Sequence, residues 1–100
     1  INIAFNYSSK KELLNAFKLI KKKKLSINEK TINKTLYTKF FPDPDVLIRT
    51  GGHKRLSDFL LWQISYTEIF FVKKLWPDFN SKDLSNILGN FKVIKRNYGK

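Results

Sequence analysis

The sequence predicts an α/β fold, a mainly parallel sheet flanked by helices, and three observations predict it. Short apolar runs of β-branched and aromatic type occupy residues 1–7, 45–50 and 69–76, and each ends at a turn or breaker signal. Segments with apolar residues at helical spacing lie between and after them. Strands that alternate with helices in this way form parallel sheets, whose ligands bind beyond the carboxyl ends of the strands.

Taken in order, "INIAFNY" (1–7) alternates as a strand does, and Ser8 and Ser9 stop the pattern. Ser9 followed by Glu12 has the spacing of a capping box. Leu13, Phe17 and Ile20 then share one helical face, and the helix runs to Lys24 with lysines opposing the dipole in its last turn. Ser26 and Glu29 repeat the capping spacing ahead of "KTINKTLYT" (30–38), a second helix weakened by asparagine and β-branched residues. "FPDPD" (41–45) ends it, because each proline disfavours helical backbone in the residue before. "DVLIRT" (45–50) reads as a buried strand that stops at Gly51 and Gly52. Helical spacing returns at Phe59, Leu60, Trp62, Ile64 and Tyr66. "IFFVKKLW" (69–76) is a further strand, closed by Trp76-Pro77. Asp78 or Ser81 caps a last helix carrying Leu84, Ile87, Leu88, Phe91 and Ile94.

One hundred residues make one small domain or a piece of a larger one. The chain starts at Ile1 and contains no methionine, so it is expected to be a fragment or a processed chain. Without cysteine it can form neither a disulfide framework nor a thiolate metal site. Its apolar runs fall far short of the roughly 20 residues needed to cross a bilayer, and no signal peptide is evident, so a soluble chain is expected. The net charge of +12 is concentrated in residues 1–40, where ten lysines face only Glu12 and Glu29. Such a field favours anions of any kind: phosphorylated metabolites, nucleic acid or an acidic membrane. Nucleic acid ranks last, because the basic stretch Lys21–Lys24 lacks interleaved aromatics and no recognised binding module appears.

Arginine is scarce, three residues against seventeen lysines, yet Arg49 and Arg55 stand six residues apart around Gly51 and Gly52. A guanidinium offers a planar fork to two phosphate oxygens, where an ammonium offers a point charge. The glycines permit positive φ and close backbone approach, so their amides can line the same anion site. Ser57 adds a hydroxyl, and with Asp58 it can cap the following helix. The plain alternative is a strand-to-helix turn whose arginines make surface ion pairs, and local chemistry alone weighs the two evenly. His53 is the single histidine and sits among cations, where an exposed turn role suits it. Glu68 falls in the apolar stretch "SYTEIFF", where a carboxylate pairs with a lysine or coordinates a cation.

The stretch "DPDVLIRTGGHKRLSDFLLWQISYTEIFFVKKLWPDF" resembles the C-terminal signature of the cis-prenyltransferases, of the undecaprenyl diphosphate synthase type. "INIAFNYSSKKEL" is similar to the family's strand and the "NYGGR" segment after it. The resemblance implies that residues 1–100 are a C-terminal fragment of a single cis-prenyltransferase domain. It implies magnesium-dependent condensation of isopentenyl diphosphate onto an allylic, farnesyl-type diphosphate, giving a long polyprenyl diphosphate carrier lipid. By the same resemblance Arg49, Arg55 and Ser57 hold the isopentenyl diphosphate, Glu68 helps organise Mg2+, and Asn6, Gly51, Gly52 and His53 lie near the site. A cytoplasmic homodimer, peripheral at the inner membrane surface and delivering its product to the membrane, is further implied. The family's catalytic Asp-Gly-Asn motif is absent from the sequence, so no catalytic residue is expected in this chain, which alone is expected to be inactive. The alternative is a non-catalytic diphosphate-binding subunit that completes a partner's active site. Four departures stand out: His53 replaces a glutamate, Ser8 and Ser9 replace glycines, Lys10 replaces an arginine, and Asn97, next to Arg96, stands where the family's tail carries arginine.

Overall fold

Ser8, rather than Ser9, begins the first helix: its hydroxyl accepts from the Lys11 N–H and its backbone is extended. Ser9 is fully buried and its Oγ accepts instead from the Leu61 N–H at 3.0 Å, so it is not free to cap. The computed structural model describes residues 1–99, and helix α1 spans Ser9–Lys22. Its inward stripe is Ser9, Glu12, Ala16 and Ile20, polar at the first two positions and apolar at the last two. The helix stops in a Schellman arrangement. The Leu25 N–H returns to Ile20 O, the Lys24 N–H to Lys21 O, and Lys24 takes the left-handed conformation (φ 53°). Helix α2 (Glu29–Thr35) is capped by Asn28, whose side chain accepts from the Thr31 N–H at 2.8 Å, and not by Ser26.

The chain divides into two units. The first comprises Ile1–Asp43 with Ser57–Gln63. Its core is Ala16, Ile20, Ile32 and Leu36, with Leu13 and Trp62 packed against it, and the Trp62 indole N–H donates to Asn33. The strand expected at 1–7 does not form. A strand needs a neighbouring backbone to close its ladder, and among the described residues none pairs with this segment, which leaves Ile1, Ile3 and Phe5 exposed.

The second unit comprises Pro44–Leu56 and the chain from Ile64 onward. Strands β1 (Val46–Arg49) and β2 (Glu68–Phe71) pair in parallel, in the register Val46 with Glu68 through Arg49 with Phe71. This is the α/β arrangement expected, reduced here to a two-stranded sheet. The helix expected at 59–66 is replaced by consecutive turns, with Ser57, Asp58 and Leu60 at positive φ. After β2, a short 3₁₀ turn (Trp76–Asp78) stacks Trp76 on Phe79. Helix α3 (Ser81–Lys92) follows, capped neither by Asp78 nor by Ser81 but by Asn80 in a reciprocal box with Asp83. The Lys74 ammonium reaches both Asp83 oxygens at 2.9 Å, and together with the Asn80 N–H it holds that carboxyl below its ordinary range.

Candidate diphosphate site

Strand β1 delivers Arg49 to its carboxyl end, where Gly51 (φ 91°) and Gly52 (φ 76°) turn the chain in a region that L side chains rarely adopt. A Cβ would meet little at either position, so backbone conformation and not crowding requires glycine there. The amides of the two glycines are already used. The Gly51 N–H donates to Lys74 O at 2.8 Å and the Gly52 N–H to Val72 O at 3.0 Å, which continues the pairing beyond the strands. The expectation that the Gly51 and Gly52 amides line an anion site is therefore corrected: both are committed to backbone carbonyls, and the glycines shape the turn.

Those side chains are available. Arg49 is half-buried and Arg55 exposed, and neither guanidinium has a hydrogen-bond or ion-pair partner among the described residues. The third arginine shows the contrast. Arg96 donates to Asp45 and, at 2.8 Å, to Tyr66 O, and its guanidinium lies over the rings of Phe91 and Tyr98. It thereby pins the entries of both strands, since Asp45 precedes β1 and Tyr66 lies just before β2. His53 is exposed and without a hydrogen-bond partner among the described residues.

Glu68 opens β2 and is half-buried, with no hydrogen bond to its carboxylate among the described residues. Its backbone N–H donates to Asp45 O, and it shares a cleft with Lys95, Arg96 and Asn97. The register places Glu68 three residues from the level of Arg49, about 10 Å along the strands and on the opposite face. The structure thus brings Arg49 and the Gly-Gly turn together and sets Glu68 apart at the other end of the pair. No group of three or more His, Asp or Glu side chains suited to a metal occurs among the described residues. A single carboxylate without a hydrogen bond among the described residues still fits magnesium, which takes one or two carboxylates and fills its shell with phosphate oxygens and water.

Ser57 and Asn6 belong to the other unit. Both are exposed and both sit at φ 49°, a conformation that asparagine tolerates and serine rarely adopts. Sequence reasoning missed what surrounds them. The Asp58 carboxylate accepts from the Ser8 hydroxyl and the Lys10 N–H, and its carbonyl accepts from the Ser9 N–H. Glu12 is 1% exposed and accepts from Tyr7, Gln63 and the Tyr37 N–H. Glu12 was legible only as a capping residue, because its partners beyond Tyr7 lie 25 and 51 residues away.

Burial, followed by donation to Glu12, pushes the Tyr7 phenol up to about 12. A raised folded value means that the neutral phenol stabilises the fold below pH 10, and that this contribution is lost as pH rises towards 12. Denaturant midpoints of the parent and Tyr7→Phe proteins, measured from pH 9 to 12, are expected to differ most at pH 9 and to converge above pH 10.

The undecaprenyl diphosphate synthase family model of prenyltransferases matches residues 1–99. The isoprenyl transferase of Thermotoga maritima is 44% identical over 102 residues, covering 97% of this chain and 44% of that protein. The isoprenyl transferase of Chlamydia muridarum is 48% identical over 104 residues, covering 97% of this chain and 41% of that protein. Among solved structures, "a probable undecaprenyl diphosphate synthase" from Campylobacter jejuni superposes with a TM-score of 0.90 at 37% identity, over 99% of this chain and 47% of its own. Lavandulyl diphosphate synthase from Lavandula x intermedia, solved with dimethylallyl diphosphate, gives 0.86 at 33% identity, over 94% of this chain and 44% of its own. Fold and sequence together define an α/β chain of the prenyltransferase class. The chain belongs to the undecaprenyl diphosphate synthase family, and it spans less than half the length of these relatives.

Proposed function

We propose that this chain is the C-terminal part of a single cis-prenyltransferase domain and supplies its isopentenyl diphosphate site through Arg49, Arg55 and Ser57. The observation that carries the reading is the pair of guanidiniums flanking the Gly51-Gly52 turn without partners among the described residues, in a chain whose third arginine is held by Asp45 and Tyr66. Arg49 and Arg55 would grip phosphate oxygens through paired N–H donors, and the Ser57 hydroxyl would add a neutral donor. Held there, the homoallylic diphosphate is oriented so that its alkene attacks an allylic, farnesyl-type diphosphate. The allylic C–O bond breaks, a proton is lost, and the chain grows by one cis unit towards a polyprenyl carrier of undecaprenyl type. Glu68 would supply a carboxylate to Mg2+, which offsets diphosphate charge and so eases departure of the leaving group. The full-length protein is read as a cytoplasmic homodimer that hands its product to the membrane surface. No described helix is long and apolar enough to cross a membrane.

Calorimetric titration of this chain with isopentenyl diphosphate and magnesium tests the reading. Saturable binding that is lost in the Arg49→Ala, Arg55→Ala double variant is expected. Diphosphate binding unchanged in that variant, or salt-sensitive binding of single-stranded DNA in its place, refutes it. Binding by a full-length protein that never turns over would identify a non-catalytic subunit completing a partner's active site.

A further inference from the structure

The residues at Asn6, Ser57, Asp58 and Leu60 are four non-glycine residues in left-handed backbone, gathered in one unit of the chain. Such conformations persist only where surrounding contacts over-determine them. The contacts that do so converge on the first turns of α1. The Ser9 N–H donates to Asp58 O at 2.8 Å, and the Ser9 hydroxyl accepts from the Leu61 N–H at 3.0 Å. The Ser8 hydroxyl and the Lys10 N–H both donate to the Asp58 carboxylate. One turn further on, Glu12 Oε1 accepts from the Tyr7 hydroxyl at 2.5 Å and from Gln63 Nε2 at 2.9 Å, while Oε2 accepts from the Tyr37 N–H at 2.7 Å. Tyr7 follows Asn6 directly, and its ring meets Phe59 edge-on at 5.6 Å. Ser9 and Glu12 are among the most buried side chains in the chain, at 0% and 1% exposure.

A buried polar pair on an otherwise apolar helix stripe calls for a reason, because alanine or leucine would pack at less desolvation cost. We infer that Ser9 and Glu12 are positioning residues: they fix the Asn6–Tyr7 segment and the Ser57–Leu61 turn on α1, and so set where Ser57 and Asn6 present their polar groups to a diphosphate. The inference rests on the assignment of Ser57 to the isopentenyl diphosphate site. Neither side chain touches substrate. Glu12 holds the residue after Asn6 at one oxygen and shares that oxygen with Gln63, which closes the turn that begins at Ser57.

The two substrates separate this role from plain stability. In the full-length enzyme, Glu12→Gln places an amide donor against donors, and Ser9→Ala leaves the Leu61 N–H without its acceptor. Each is expected to raise KM for isopentenyl diphosphate by about 10-fold, as displacement of a positioning contact does. KM for the allylic diphosphate is expected to stay within two-fold of the parent. A purely structural role lowers the amount of active enzyme and leaves both KM values alone. Folded Glu12→Gln and Ser9→Ala enzymes with the parental KM for isopentenyl diphosphate, or with equal shifts for both substrates, overturn the inference. Should Glu12→Gln fail to fold, Ser9→Ala decides by the same criterion. An Arg55→Ala enzyme that keeps the parental KM for isopentenyl diphosphate would overturn the site assignment itself, a result distinct from failure of the positioning role.

Discussion

Arg55→Ala in the full-length protein is expected to raise KM for isopentenyl diphosphate by about 10- to 100-fold, corresponding to the 1.5–3 kcal/mol of a hydrogen bond to a charged group. Two features set the size. Among the described residues the guanidinium has no carboxylate partner to lose, so truncation is expected to remove the proposed substrate contact and little else. Nor do the Gly51 and Gly52 amides stand in reserve, since Lys74 O and Val72 O already take them. Arg55→Lys keeps the charge but not the fork and is expected to recover only part of the loss. Steady-state kinetics with each substrate varied in turn measure the effect, and equal losses for both substrates would contradict the assignment.

The largest expected effect on stability is at Leu36. Its side chain is 2% exposed and belongs to a core of four buried apolar residues with Ala16, Ile20 and Ile32. Leu36→Ala is expected to cost about 3 kcal/mol, the transfer free energy of the lost methyl groups plus the cavity left behind. A core this small has few neighbours that can move in to fill the space. Nothing in the hydrogen bonding of α1 compensates, because its polar inward residues, Ser9 and Glu12, are bound to Leu61, Tyr7, Tyr37 and Gln63. Urea unfolding followed by circular dichroism reads the change, and a midpoint equal to that of the parent would show that the cluster does not carry the unit.

Much of the fold was legible in the sequence because its signals are local. Periodicity and dipole charges found α1, and the run of β-branched residues before Gly51 found β1. The capping residues were each misplaced for one physical reason. Serine, asparagine and aspartate all cap well, so composition cannot choose between Ser8 and Ser9, Asn28 and Ser26, or Asn80 and Asp78. Tertiary bonds make the choice, as where Leu61 claims the Ser9 hydroxyl. The 59–66 segment had helical spacing, yet Asp58, Ser9 and the left-handed residues hold it as turns, and the energy of those contacts overrides propensity. At the site, the scarcity of arginine drew attention to Arg49 and Arg55. The commitment of Arg96 to Asp45, 51 residues away, leaves no local trace.

The bare segment at Ile1, Ile3 and Phe5 has a practical side for anyone handling this chain. It is an adhesive edge carried by a particle of charge +12. Two such particles repel one another over a Debye length of about 10 Å at 0.1 M salt, but over only about 3 Å at 1 M. Dilute buffer therefore acts as the dispersant. Adding salt to suppress unspecific anion binding strips away the repulsion that keeps those edges apart, so concentrated stocks of this chain are best kept at low ionic strength and brought to assay salt only on dilution.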